Sequence, residues 1–136
     1  MKAINRRKFI ATGTVLATTA AAASANNLVM TKETYPIVHH VFFWLKNPAS
    51  TADRDKLVEG VKTLSKIETV HSLRVGIVAG TEKRDVVDNS WGVSELIFFK
   101  DLAGQATYQT HPVHLAFVKN YSHLWEKVIV YDATEA

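Results

Sequence analysis

The stretch Ile37 to Leu45, IVHHVFFWL, constrains this chain more than any other. It is almost continuously apolar, β-branched and aromatic, and it is too short for a buried helix. It therefore predicts a strand covered on both faces. Alternate residues of a strand point to opposite sides, so Val38, His40, Phe42 and Trp44 form one face and His39, Val41, Phe43 and Leu45 the other. Either set is too apolar to leave in water.

The rest of the chain supplies one cover. PASTADRDKLVEGVKTLSKI opens with Ser50 and Thr51 as candidate caps, and Leu57, Val61, Leu64 and Ile67 then fall on one helical stripe. VHSLRVGIVAG and WGVSELIFF read as strands joined by the polar, turn-rich TEKRDVVDNS, an antiparallel pair with a long loop. A helical segment follows Asp101, is interrupted or redirected at Pro112, and runs towards His123. WEKVIVYDA then gives a last strand. The order β-α-β-β-α-β predicts an α+β fold, a ferredoxin-like unit with its helices on one sheet face. The other face calls for a second copy, so the expected assembly is a homodimer closed sheet to sheet, a dimeric α+β barrel.

Residues 1–25 stand outside that fold. Lys2, Arg6, Arg7 and Lys8 precede an uncharged run of small and apolar residues from Phe9 to Ala23, and Ala23-Ser24-Ala25 fits a small-x-small cleavage site. The run is short and rich in Ala and Thr, which suits an export signal better than a membrane span, so no stable anchor is expected after cleavage. NRRKFIA resembles a twin-arginine signal, although Asn5 stands where Ser or Thr is usual. The expected destination is the periplasm or the exterior. Residues 26–36, polar and closed by Pro36, read as a flexible lead-in, and residues 37–136 as the domain.

Cleavage also changes the charge argument. Of sixteen basic and thirteen acidic side chains, four basic and no acidic ones precede the cut, so twelve cations face thirteen anions in the mature chain. Without a basic stripe, nucleic-acid binding is disfavoured. With no cysteine the chain holds no disulfide and no thiolate metal site.

HHVFFWLK at the first strand, THPVHLAFV in the second helical region and LWEKVIVYD at the end resemble the stress-responsive A/B barrel (Dabb) family over residues 37–132. The resemblance implies a dimer of ferredoxin-like subunits. The best understood activity in that family is a cofactor-independent polyketide cyclisation by a plant member. The Tyr-x-x-His-Pro-x-His pattern is intact at Tyr108, His111, Pro112 and His114, so the resemblance puts the catalytic tyrosine and histidine on Tyr108 and His114. It also aligns the family's first-strand histidine with His39. No cofactor is implied, and many members have no established activity, so fold does not settle function.

Aldol-type cyclisation needs a base beside a carbonyl and a donor for the developing oxyanion, roles open to His114 and Tyr108 respectively. The candidate binding residues for a small apolar or carbonyl-containing molecule are His39, His111, Phe42 and Trp44. Structural roles stand beside these. His111 reads equally as a helix start ahead of Pro112, His114 as a satisfied polar group, and Tyr108 as a core aromatic with one hydroxyl partner.

A metal site is disfavoured, because His39 and His40 point apart and His111 and His114 lack the His-x-x-x-His spacing. Trp125, Tyr131, Phe98 and Phe99 read as core or interface aromatics. Lys83, Arg84, Asp85 and Asp88 read as a solvated loop, and Glu95 as a strand carboxylate of undecided direction. Two other classes remain: a non-catalytic ligand-binding barrel, and a small monooxygenase or haem-handling barrel.

Overall fold

A computed structural model describes residues 32–136. The export signal and the first part of the lead-in lie outside the described residues. The elements are β1 (Ile37–Leu45), α1 (Thr51–Lys62), β2 (Ser72–Ile77), β3 (Val93–Phe99), α2 (Leu102–Thr110), α3 (Pro112–Tyr121) and β4 (Trp125–Thr134), with single 3-10 turns after α1 and α3. Four antiparallel strands lie in the order β2-β3-β1-β4, so β1 is central and both of its edges are paired. This is the ferredoxin-like α+β arrangement. Among the described residues no helix is long and apolar enough to cross a membrane.

Burial along β1 alternates strictly. Ile37, His39, Val41, Phe43 and Leu45 lie under the helices, while Val38, His40, Phe42 and Trp44 on the open face are only partly covered. Ser50 caps α1, its hydroxyl accepting from the Asp53 amide at 3.1 Å. The expected stripe of Leu57, Val61, Leu64 and Ile67 is fully buried, although the helix tightens to 3-10 after Lys62. These four pack with Val93, Ile97, Phe99, Phe117 and Leu124 into one core between sheet and helices.

The end of the lead-in is engaged with the domain, where a flexible stretch was expected. Tyr35 stacks on His71 with centroids 3.3 Å apart, and Glu33 pairs with Lys100 at 3.1 Å. Glu135 donates its amide to the carbonyl of Pro36, tying that segment to the end of β4.

Candidate functional site

The Tyr-x-x-His-Pro-x-His segment folds as an elbow. α2 starts at Asp101, whose carboxylate accepts from the Gly104 amide at 2.7 Å, and it ends where Pro112 cannot continue it. His111 closes α2 and caps α3 in an extended conformation, and Pro112 takes the first turn of α3, a position that needs no amide hydrogen. Nδ1 of His111 accepts from the Val113 amide at 3.1 Å, so Nε2 carries the hydrogen and donates to Glu68 at 3.1 Å. One ring nitrogen thus caps α3 and the other ties the elbow to the loop before β2. The structure places His111 at the helix start, with both ring nitrogens bonded within the chain.

The same break exposes carbonyls at the end of α2 that a continued helix would have paired. One of them, Gln109, accepts from His114 Nδ1 at 3.0 Å. A carbonyl only accepts, so Nδ1 holds the hydrogen and the neutral ring keeps its lone pair on Nε2. Burial, first, and the neighbouring His39 hold the His114 imidazolium below the usual histidine range, with the Gln109 bond opposing them. His114 is therefore a neutral base whose free nitrogen is already selected. Its ring lies 4.7 Å from that of Tyr108.

Tyr108 is the one buried residue of α2, 1% exposed, and its hydroxyl donates to Glu95 Oε1 at 2.6 Å. Glu95 is also 1% exposed. Its place follows from register: it stands between Val41 of β1 and Val75 of β2 on the helix-facing side of the sheet. Burial pushes the Glu95 carboxyl up, against the Tyr108 bond and His39, and burial together with Glu95 pushes the Tyr108 hydroxyl far up.

His39 completes the cluster. Its ring meets Tyr108 edge-on at 5.5 Å, and its Nδ1 donates to the carboxylate of Asp132, directly opposite in register on β4, at 2.6 Å. Asp132 is half-exposed and lines a hollow of about 240 Å³ with Ile37, Leu102, Gln105, Ala133 and Thr134. The cluster therefore reaches from the surface at Asp132 to His39, whose ring packs on Tyr108, with Glu95 bonded to the Tyr108 hydroxyl and His114 packed on its ring.

Phe42 and Trp44 are not part of it. They were candidates, with His39, for binding the ligand, and the twofold period of β1 puts them on the open face. There they line a shallow hollow of about 130 Å³ with Asp88, Trp91 and Tyr131. Trp44 donates its indole N–H to Ser90 at 2.9 Å, and Lys127 lies over its ring at 4.4 Å. The structure thus gathers His39, Tyr108 and His114, and separates them from Phe42 and Trp44.

Glu95 and Asp132 were not assigned to the site from sequence. An acidic residue inside VSELIFF was a signal for the first. Asp132 had none, because its partner is 93 positions away. Among the described residues no group of three or more His, Asp or Glu side chains is disposed to hold a metal ion.

Comparison with known proteins agrees with this fold. The family model of the stress responsive A/B barrel domain matches residues 37–135. Among solved structures, a Dabb family protein with a ferredoxin-like fold from Mesorhizobium loti is 26% identical, with a TM-score of 0.60 over 74% of this chain and 96% of that one. A hydroxynitrile lyase from Passiflora edulis is 22% identical, with a TM-score of 0.62 over 76% and 96%. A dimeric ferredoxin-like protein of unknown function from Bacteroides fragilis is 20% identical, with a TM-score of 0.59 over 75% and 98%. No protein with a curated description matches the chain. The ferredoxin-like sheet and the family match over residues 37–135 lead to one assignment: this chain belongs to the stress responsive A/B barrel domain (Dabb) family.

Proposed function

We propose that the domain binds a small carbonyl-containing or aromatic molecule at the Tyr108–His114 cluster and performs acid–base chemistry on it without a cofactor. The observation that carries this is His114 itself. Its tautomer is fixed by the Gln109 carbonyl, its charge is suppressed by burial, and its free Nε2 is on a ring packed against a tyrosine. A base so arranged suits removal of a proton next to a carbonyl, with Tyr108 as donor to the oxygen that gains charge. That the same fold serves a lyase in Passiflora edulis supports such chemistry here.

The Tyr108 hydroxyl is closed off and committed to Glu95, which favours a second reading: a barrel that binds its ligand without converting it. The two separate by experiment. The ligand that copurifies with the exported protein is identified by mass spectrometry, and affinity and conversion are then measured for His114→Ala and Tyr108→Phe. Catalysis predicts conversion lowered about tenfold to a hundredfold or more in each variant with smaller losses in affinity. Tight binding without conversion by the unmodified protein selects the binding module, and full conversion by His114→Ala removes the base assignment.

The working unit in this reading is a homodimer closed over the open sheet face. The partly covered Phe42 and Trp44 and the 61% exposed Tyr131 support it, as does the dimeric relative from Bacteroides fragilis. Export through the arginine pair to the periplasm or beyond is the final element. Arg6→Lys with Arg7→Lys then leaves the precursor in the cytoplasm, and unchanged delivery argues for the general secretory route.

A further inference from the structure

A buried tyrosine hydroxyl needs one acceptor, and a backbone carbonyl would satisfy it. This chain instead sets a carboxyl group in the middle of its sheet, between two valines, with Oε1 at 2.6 Å from the Tyr108 hydroxyl. Among the described residues no lysine or arginine forms an ion pair with Glu95. The polar groups that face the pair are His39 from β1, with its Nδ1 hydrogen given to Asp132 of β4, and His114 from α3 against the Tyr108 ring. From α1 the core receives Leu57, Val58, Gly60 and Val61, none of them titratable. An ionised carboxylate in such a place is far more costly than a neutral carboxylic acid.

We propose that Glu95 and Tyr108 act together as an oxyanion-binding pair, each donating one hydrogen bond to the oxygen of a bound enolate or phenolate. This rests on the reading of the Tyr108–His114 cluster as a small-molecule site, and it names the class of molecule. In the free protein the carbonyl oxygen of the acid accepts from Tyr108. With an anion in place, the Tyr108 hydroxyl and the acid O–H both turn to the ligand oxygen. Burial, which holds the Glu95 carboxyl above the usual carboxylate range, keeps that proton available. A tyrosine beside a carboxylic acid kept neutral by an apolar site is an established way to hold an enolate oxygen.

Two convergent donors fit a single delocalised oxyanion formed from a ketone, a β-dicarbonyl or a phenol. They underserve a phosphate, which has more acceptor oxygens than the pair has hydrogens. His114 Nε2, on a ring 4.7 Å from that of Tyr108, is the group to take the proton whose loss creates the anion.

The test uses 4-nitrophenol, whose anion absorbs in the visible, with the full mature protein. The wild type is expected to bind the anion in preference to the neutral phenol. Glu95→Leu should weaken anion binding about tenfold or more, while Glu95→Gln, which keeps an N–H donor and the contact with Tyr108, should weaken it less. Independently of any ligand, the infrared spectrum at pH 7 should contain the carbonyl band of a buried protonated carboxylic acid that Glu95→Gln removes. This second measurement stands even where Glu95→Leu fails to fold.

Absence of that band at pH 7 overturns the proposal. So does anion binding that falls in Tyr108→Phe and His114→Ala yet is unchanged in both Glu95 variants, an outcome that leaves the cluster as a binding site. Absence of any anion binding by the wild type overturns the pair and the small-molecule reading together.

Discussion

Adjacent histidines on β1 meet opposite surroundings. His39 is 3% exposed under the helices, bonded to Asp132 and edge-on to Tyr108. His40, one residue on, lies on the open face with its ring 4.3 Å from that of Phe42. Beneath the helices, Tyr108 and Glu95 are paired with each other and held away from water, which strengthens their hydrogen bond and makes its loss expensive. On the open face, aromatic surface is left partly covered, with Trp44 bonded to Ser90 beneath Lys127, and Trp91 bonded to the Asp88 carbonyl and edge-on to Phe42. One strand thus builds a paired polar interior on one side and a partly covered aromatic face on the other.

The sharpest way to break that contrast is to truncate neighbours on β1. Phe43→Ala, in the closed core, is expected to cost about 3–5 kcal/mol at any protein concentration. Phe42→Ala is expected to cost less in dilute solution, with a penalty that grows with concentration as the dimer contact is lost. Urea unfolding at two concentrations, with sedimentation, checks both. Equal and concentration-independent losses would mean that the open face has no partner.

Next in size is the buried pair. Glu95→Ala leaves the Tyr108 hydroxyl without its acceptor and should cost about 1–3 kcal/mol, more than Glu95→Gln. The pH dependence has a definite sign. A carboxyl whose folded value lies above its unfolded value contributes stability fully at pH below about 4.5, and loses it as pH rises through the folded value. Stability of the wild type relative to Glu95→Gln should therefore fall from pH 4 to pH 8, and a rise would mean that Glu95 is ionised in the folded state.

His114 has the opposite dependence. Its folded value is depressed below about 6.5, so the unfolded chain binds the proton first and stability is lost as pH falls below that value. By proton NMR, His114 should titrate below the ordinary histidine range. If it is the base, conversion should rise with pH through the same transition. The smallest effect belongs to the elbow: His111→Ala removes a cap and should cost about 1 kcal/mol, while His111→Asn, which can still cap, should recover most of it. Urea midpoints would detect the difference.

The element order, the buried stripe of α1, the break at Pro112 and the nearness of Tyr108 to His114 were legible in the sequence, because each depends on residues within a turn or two of one another. The apolar character of Ile37–Leu45 on both sides was equally legible, but not which side the helices would cover. That choice placed His39 with the cluster and Phe42 and Trp44 outside it. Glu95 could be seen as an anomaly in its strand, and only the packing of α2 across the sheet supplied its partner. Asp132 meets His39 solely because β4 returns beside β1 in one register. Local pattern thus determined the elements and the elbow. The site was decided by strand pairing and helix docking, which bring together residues far apart in the chain and set how water is excluded from them.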